Sequence, residues 1–184
     1  MTCSLHRTQR EAHLDSLPGI PILVEFGLSR FLFPCMAIAK KIRFKNLRTI
    51  PWLPKYDGGR VTITSVNGID KALDAVSREL EELPPPFVKY LKPTAGTYNC
   101  REVAGSQIRS MHAYGAALDI NTAFANYWRW DSKSGSEPIW KNRIPIEIVR
   151  VFERHGFIWG GYWYHYDTMH FEYRLELLSE VSDK

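Results

Sequence analysis

Residues 145–173 read PIEIVRVFERHGFIWGGYWYHYDTMHFEY, and the order of patterns in this stretch decides the fold class. Pro145 opens a helical pattern and Gly156 closes it, the placement helix termini favour. Ile146, Val149 and Phe152 recur at helical spacing and are expected to be the buried stripe of a helix over 145–155. Residues 157–159 and 168–173 then read as strands on either side of a turn at Gly160-Gly161. A helix followed by paired strands, without regular strand–helix–strand alternation, indicates an α+β fold with a small antiparallel sheet flanked by helices.

Upstream, residues 116–121 (AALDIN) have the apolar character of a buried strand, and residues 125–142 form a long, aromatic, irregular insertion. That insertion either caps a groove or simply packs on the domain. Residues 93–111 are loop-like. Residues 60–66 (RVTITSV) alternate and are β-branched, so they read as a strand, and Asn67-Gly68 is a turn signal. Ile69, Leu73, Val76, Leu80 and Leu83 mark an amphipathic helix over 69–83, which Pro84-Pro85-Pro86 ends. Residues 40–59 combine a basic run with Pro51, Pro54 and Gly58-Gly59 and are read as a linker or surface arm before a domain over 60–184.

The 184 residues suffice for one hydrophobic core, which at this size buries roughly 70% of the unfolded surface without staples. With 45% hydrophobic and 24% charged residues the chain is globular rather than disordered or fibrous. A net charge of +4 suits an anionic surrounding without selecting one. The basic residues near 40–48 lack the aromatic interleaving of a nucleic-acid surface, so no nucleic-acid partner is expected. Cys3, Cys35 and Cys100 form no Cys-x-x-Cys pair and are too few for a four-thiolate zinc site.

Residues 1–39 are read as an export signal, or else as an apolar arm packed on the domain. Within them, 19–39 is apolar but interrupted by Glu25, Arg30 and two prolines, which argues against a membrane span, and Ala37-Ile38-Ala39 resembles a signal cleavage site. The export reading implies a periplasmic or secreted protein. A packed arm, or a prophage origin, implies a cytoplasmic one.

Three segments carry chemistry. Ser110-Met-His112-Ala-Tyr-Gly-Ala-Ala-Leu-Asp119 offers an imidazole and a carboxylate, and Asp167-Thr-Met-His170-Phe-Glu172 offers a second imidazole between two acids. Each alone also fits a hydrogen-bonded core. Together, two histidines and a carboxylate with an open fourth position form a catalytic zinc pattern. A nearby carboxylate, Asp167 or Glu172, must then take the proton from an attacking water. Arg101 is a third element, suited to an oxyanion or a substrate carboxylate.

The combination SxHxxGxAxD at 110–119, GFIWGG at 156–161 and DTMHFEYR at 167–174 resembles the zinc D-Ala-D-Ala carboxypeptidase and L-Ala-D-Glu endopeptidase family (VanY-like), which shares the hedgehog/DD-peptidase fold. The resemblance covers about residues 93–176 and leaves 1–60 uncovered. It implies Zn2+ held by His112, Asp119 and His170, with Asp167 as catalytic base, where many relatives carry Glu. Glu172 is the fallback base. Arg101 would stabilise the transition state or grip substrate. Ser110 would orient a ligand from behind, and Trp163 and Tyr166 stand beside the site as expected groove walls. The implied partners are peptidoglycan stem peptides, cut by a monomeric hydrolase of cell-wall peptides without a membrane span in the mature form. A non-catalytic wall-binding module on the same fold is the competing expectation.

Overall fold

The computed structural model describes residues 45–103, 107–131, 137 and 139–178. The export-signal or arm reading of 1–39 lies outside the described residues. All elements below belong to the compact unit Lys41–Lys184. The fold is α+β with two small antiparallel sheets.

The first sheet pairs β1 (Leu47–Pro51) with β2 (Arg60–Thr64), Leu47 opposite Thr64 and Pro51 opposite Arg60. This corrects the linker reading of 40–59. Proline sits at the strand's end, where a missing donor costs little, and the stretch that follows is core: Trp52 and Leu53 are fully buried. The Trp52 indole donates to the Leu91 carbonyl at 3.1 Å, and the Leu53 amide donates to Ser77 Oγ at 2.8 Å.

Helix α1 (Ile69–Leu80) turns Ile69, Leu73, Val76 and Leu80 into the core, as the periodicity requires, while Leu83 lies beyond its end and is only half-buried. The short α2 (Val88–Leu91) follows the prolines. Helix α4 (Ile146–Arg154) buries Ile148, Val149, Val151 and Phe152, but Ile146, expected in the stripe, is exposed at its first turn. The short α3 (Trp128–Asp131) falls inside the insertion expected to be irregular.

The second sheet, in order β3-β5-β4, is built from β3 (Ala117–Asp119), β5 (His170–Tyr173) and β4 (Phe157–Trp159). Its register positions the chemistry. Asp119 lies directly opposite His170, Leu118 opposite Phe171 and Ala117 opposite Glu172. Side chains alternate across a strand, so Phe171 enters the core, where its ring stacks on Phe152 at 3.8 Å, while His170 and Glu172 share the other face. A slip of one residue would put Phe171 opposite Asp119 and turn the histidine toward the apolar core.

The two sheets meet beside the first motif. The Thr64 amide donates to the Gly115 carbonyl at 2.8 Å. Gly115 has φ +67, and a Cβ there would lie 2.8 Å from a Leu47 methyl. Only glycine allows both that conformation and that approach, so β1 buttresses the turn that carries His112. A final short helix, α5 (Leu175–Leu178), follows β5.

Candidate metal centre

His112 sits on a single 3-10 turn, Met111–Tyr114, whose N-cap is Ser110. The buried Ser110 hydroxyl accepts from the His112 amide at 3.3 Å, and the Ser110 amide donates to the Arg101 carbonyl at 3.2 Å. Ser110 therefore shapes the backbone under the ligand and does not face the imidazoles. Asp119 ends β3 and is pinned on both sides, by His170 across the sheet and by Gly96, whose carbonyl accepts from the Asp119 amide at 2.8 Å.

The three side chains converge. His112 Nε2 lies 3.1 Å from Asp119 Oδ2, His170 Nδ1 lies 2.9 Å from Asp119 Oδ1, and the two ring nitrogens are 3.1 Å apart. A tetrahedral zinc with bonds of about 2.0–2.1 Å spaces its ligand atoms about 3.3 Å apart, close to the separation of the two ring nitrogens and of each from its nearer Asp119 oxygen. Among the described residues these three form the one such group that can hold a metal ion.

The outer ring atoms decide which lone pairs face inward. His112 Nδ1 meets the Thr97 carbonyl at 2.6 Å, and a carbonyl only accepts, so Nδ1 carries the proton. His170 Nε2 meets the Glu172 carboxylate at 3.1 Å and donates by the same logic. Neutral rings then direct two nitrogen lone pairs and a carboxylate at one point. With both rings neutral, three acceptors face one another with no donor between them, an arrangement that a cation would satisfy, and the donor set of two imidazoles and a carboxylate suits zinc. A proton on His170 is one substitute. Burial opposes it, but the bonds to Asp119 and Glu172 prevail and raise that ring to about 10. Burial also opposes the Asp119 charge, and the two imidazoles nonetheless hold it well below the usual carboxylate range.

Asp167 stands apart. Its Oδ1 is buried and has no hydrogen-bond partner among the described residues. Burial raises the acid, His170 opposes and the Asp119 charge adds, which leaves it near 6. Gly160 makes room for its backbone, and Gly161 makes room for the Trp159 indole. A Cβ on Gly160 would lie 2.7 Å from the Asp167 carbonyl oxygen, and one on Gly161 would lie 2.2 Å from the Trp159 indole. The Asp167 amide donates back to Gly160 at 3.0 Å.

Into this geometry falls the comparison with known families. A family model described as D-alanyl-D-alanine carboxypeptidase matches residues 104–173. The matched span holds both histidines, Asp119 and Asp167, and it supports a peptidase over that segment. No curated protein matches the chain.

The remaining expected residues divide. Trp163 is half-buried with its ring 5.3 Å from that of His170, so it does stand beside the centre. Tyr166 does not wall a groove. Its side chain is fully buried, and its hydroxyl donates to Asp131 Oδ2 at 3.0 Å or to the Ile139 carbonyl at 2.9 Å, tying the insertion to the chain next to Asp167. Burial, with Asp131 beside it, pushes that phenol up to about 12. Glu172 does not occupy the base position, because it contacts the ring nitrogen of His170 that points away from the triad. Arg101 is exposed, and among the described residues no hydrogen bond joins its guanidinium to the triad. The carbonyl of Thr97 escaped the sequence reading, since any residue type could supply a backbone oxygen there.

Proposed function

We propose that the chain is a zinc-dependent peptidase that hydrolyses an amide bond in peptidoglycan stem peptides, as a D-Ala-D-Ala carboxypeptidase or an L-Ala-D-Glu endopeptidase. The observation that carries this reading is the convergence of three cation-seeking side chains, His112, Asp119 and His170, with Asp167, which feels the charge of all three and keeps one buried oxygen without a hydrogen-bond partner among the described residues. The family match at 104–173 supports it independently. A VanY-like branch and the hedgehog/DD-peptidase fold belong to the same reading and rest on the order of the motifs.

When bound, zinc would polarise the scissile carbonyl and acidify a water molecule. The protein's own groups do the rest. His112, Asp119 and His170 hold the ion, and Thr97 and Glu172 fix the ring orientations. Asp167, with Oδ1 free of any donor and its acidity shifted toward neutrality, accepts the water's proton and returns it to the leaving amine. Arg101, exposed and tied through its carbonyl to Ser110, would meet a substrate carboxylate or the developing oxyanion. Trp163 lines the approach to His170. All of these groups come from a single chain, so a monomer suffices. A wall-binding module would have no use for a destabilised carboxylate at Asp167 with one buried oxygen left without a donor. The substrate class places the work in the periplasm or outside the cell, and no helix among the described residues is long and apolar enough to cross a membrane.

The test is mass spectrometry of purified peptidoglycan fragments incubated with the protein, with zinc or with a chelator. Loss of one D-alanine marks a carboxypeptidase and scission between L-Ala and D-Glu an endopeptidase. Either must vanish with the chelator. Intact fragments in the presence of bound zinc would overturn the assignment.

A further inference from the structure

We infer that Arg174 is a positioning residue for the metal centre, acting through Glu172 on His170. The inference rests on the zinc reading of the triad and concerns a residue outside it. His170, Glu172 and Arg174 are spaced by two along one strand and its exit, so they follow one another on one face. The Glu172 carboxylate is divided between its neighbours: Oε2 lies 3.1 Å from His170 Nε2, and Oε1 lies 3.2 Å from an Arg174 terminal nitrogen. Arg174 is held in turn at both ends. Its Nε donates to Glu176 Oε1 at 2.6 Å, and its amide donates to the Gly156 carbonyl at 2.8 Å. A charged row thus runs from the centre through β5 to α5.

The physical need for Arg174 follows from burial. The Glu172 carboxylate is about 10% exposed, and a single imidazole N–H leaves its other oxygen without a donor. Such a carboxylate would be free to rotate away from the ring. The guanidinium satisfies the second oxygen and so holds the carboxylate plane against the ring. Glu172 then remains the acceptor that holds the proton of His170 on Nε2 and leaves the Nδ1 lone pair facing Asp119. Ala117, opposite Glu172 on β3, leaves room for this arrangement.

The experiment is zinc affinity by competition with a chromophoric chelator, on the full chain, for Arg174→Ala, Arg174→Lys, Glu172→Gln and the double variant Glu172→Gln/Arg174→Ala. Thermal unfolding without zinc verifies that each is folded, and the Arg174 backbone bond to Gly156 survives every substitution. Loss of such an outer partner costs on the order of 10-fold or more in metal affinity. We expect that loss in Arg174→Ala, partial recovery in Arg174→Lys, and a double variant no weaker than Glu172→Gln alone, because Arg174 works through Glu172. Unchanged affinity in Arg174→Ala, or losses that simply add in the double variant, would overturn the inference. Absence of zinc binding by the unaltered protein would instead overturn the reading of the triad.

Discussion

Replacing Asp167 with asparagine should make the protein more stable while abolishing turnover. Asp167 titrates near 6 against an ordinary value of 3.8, chiefly because burial penalises its charge. The folded state therefore binds this proton more tightly than the unfolded state, and stability falls as pH rises from about 4 to about 6, then stays level. Moving this acid from 3.8 to about 6 sets a ceiling of about 3 kcal/mol for the cost of the ionised form. Asparagine has nearly the same shape and no charge, so Asp167→Asn should recover about 1–3 kcal/mol at neutral pH. Denaturant unfolding of both proteins in a chelator, near pH 4 and near pH 7.5, reads this directly. The difference should be close to zero in acid and largest at neutral pH. Added zinc should shrink it, since a nearby cation favours the carboxylate. A variant that is less stable at neutral pH, or a difference that does not change with pH, would refute the reasoning that Asp167 is a strained, functional acid.

Three further outcomes follow from the packing and the triad. Gly161→Ala drives a methyl into the indole of Trp159 and should cost about 1–3 kcal/mol by thermal unfolding; an unchanged Tm would mean the turn relaxes freely. Tyr166→Phe removes one donor from the half-buried Asp131 carboxylate, which Asn126 still serves, and should cost about 0.5–1.5 kcal/mol, with faster amide exchange across Trp128–Asp131 as its local signature. His112→Ala removes one of three converging atoms and should abolish stoichiometric zinc binding in dialysis followed by metal analysis; a zinc-loaded, active variant would remove His112 from the ligand set.

Much of this site is legible in the sequence because strand geometry is simple. His170 and Glu172 share a face by alternation, and Asp119 meets His170 because both belong to short strands with an apolar neighbour, Leu118 opposite Phe171, that fixes the register. What escaped has identifiable causes. Leu47–Pro51 carries Arg48 and Pro51 and is half-exposed, so no local pattern distinguishes it from a linker, and its strand character comes from pairing with β2. Trp163 and Tyr166 lie in a turn without period, so nothing local says which faces the centre and which is buried. Glu172 and Asp167 are both acids near His170, and only the structure shows that Glu172 meets the outer ring nitrogen while Asp167 keeps an oxygen without a hydrogen-bond partner among the described residues.

The most direct test of the account is cleavage of peptidoglycan fragments, followed by mass spectrometry, by the unaltered protein and by Asp167→Ala brought to the same zinc content. One bound zinc is expected in each and cleavage only by the unaltered protein, with a loss of at least about 100-fold in the variant. Equal cleavage by the zinc-loaded variant would contradict the role given to Asp167, and an unaltered protein that cuts equally well when stripped of zinc would contradict the metal centre itself.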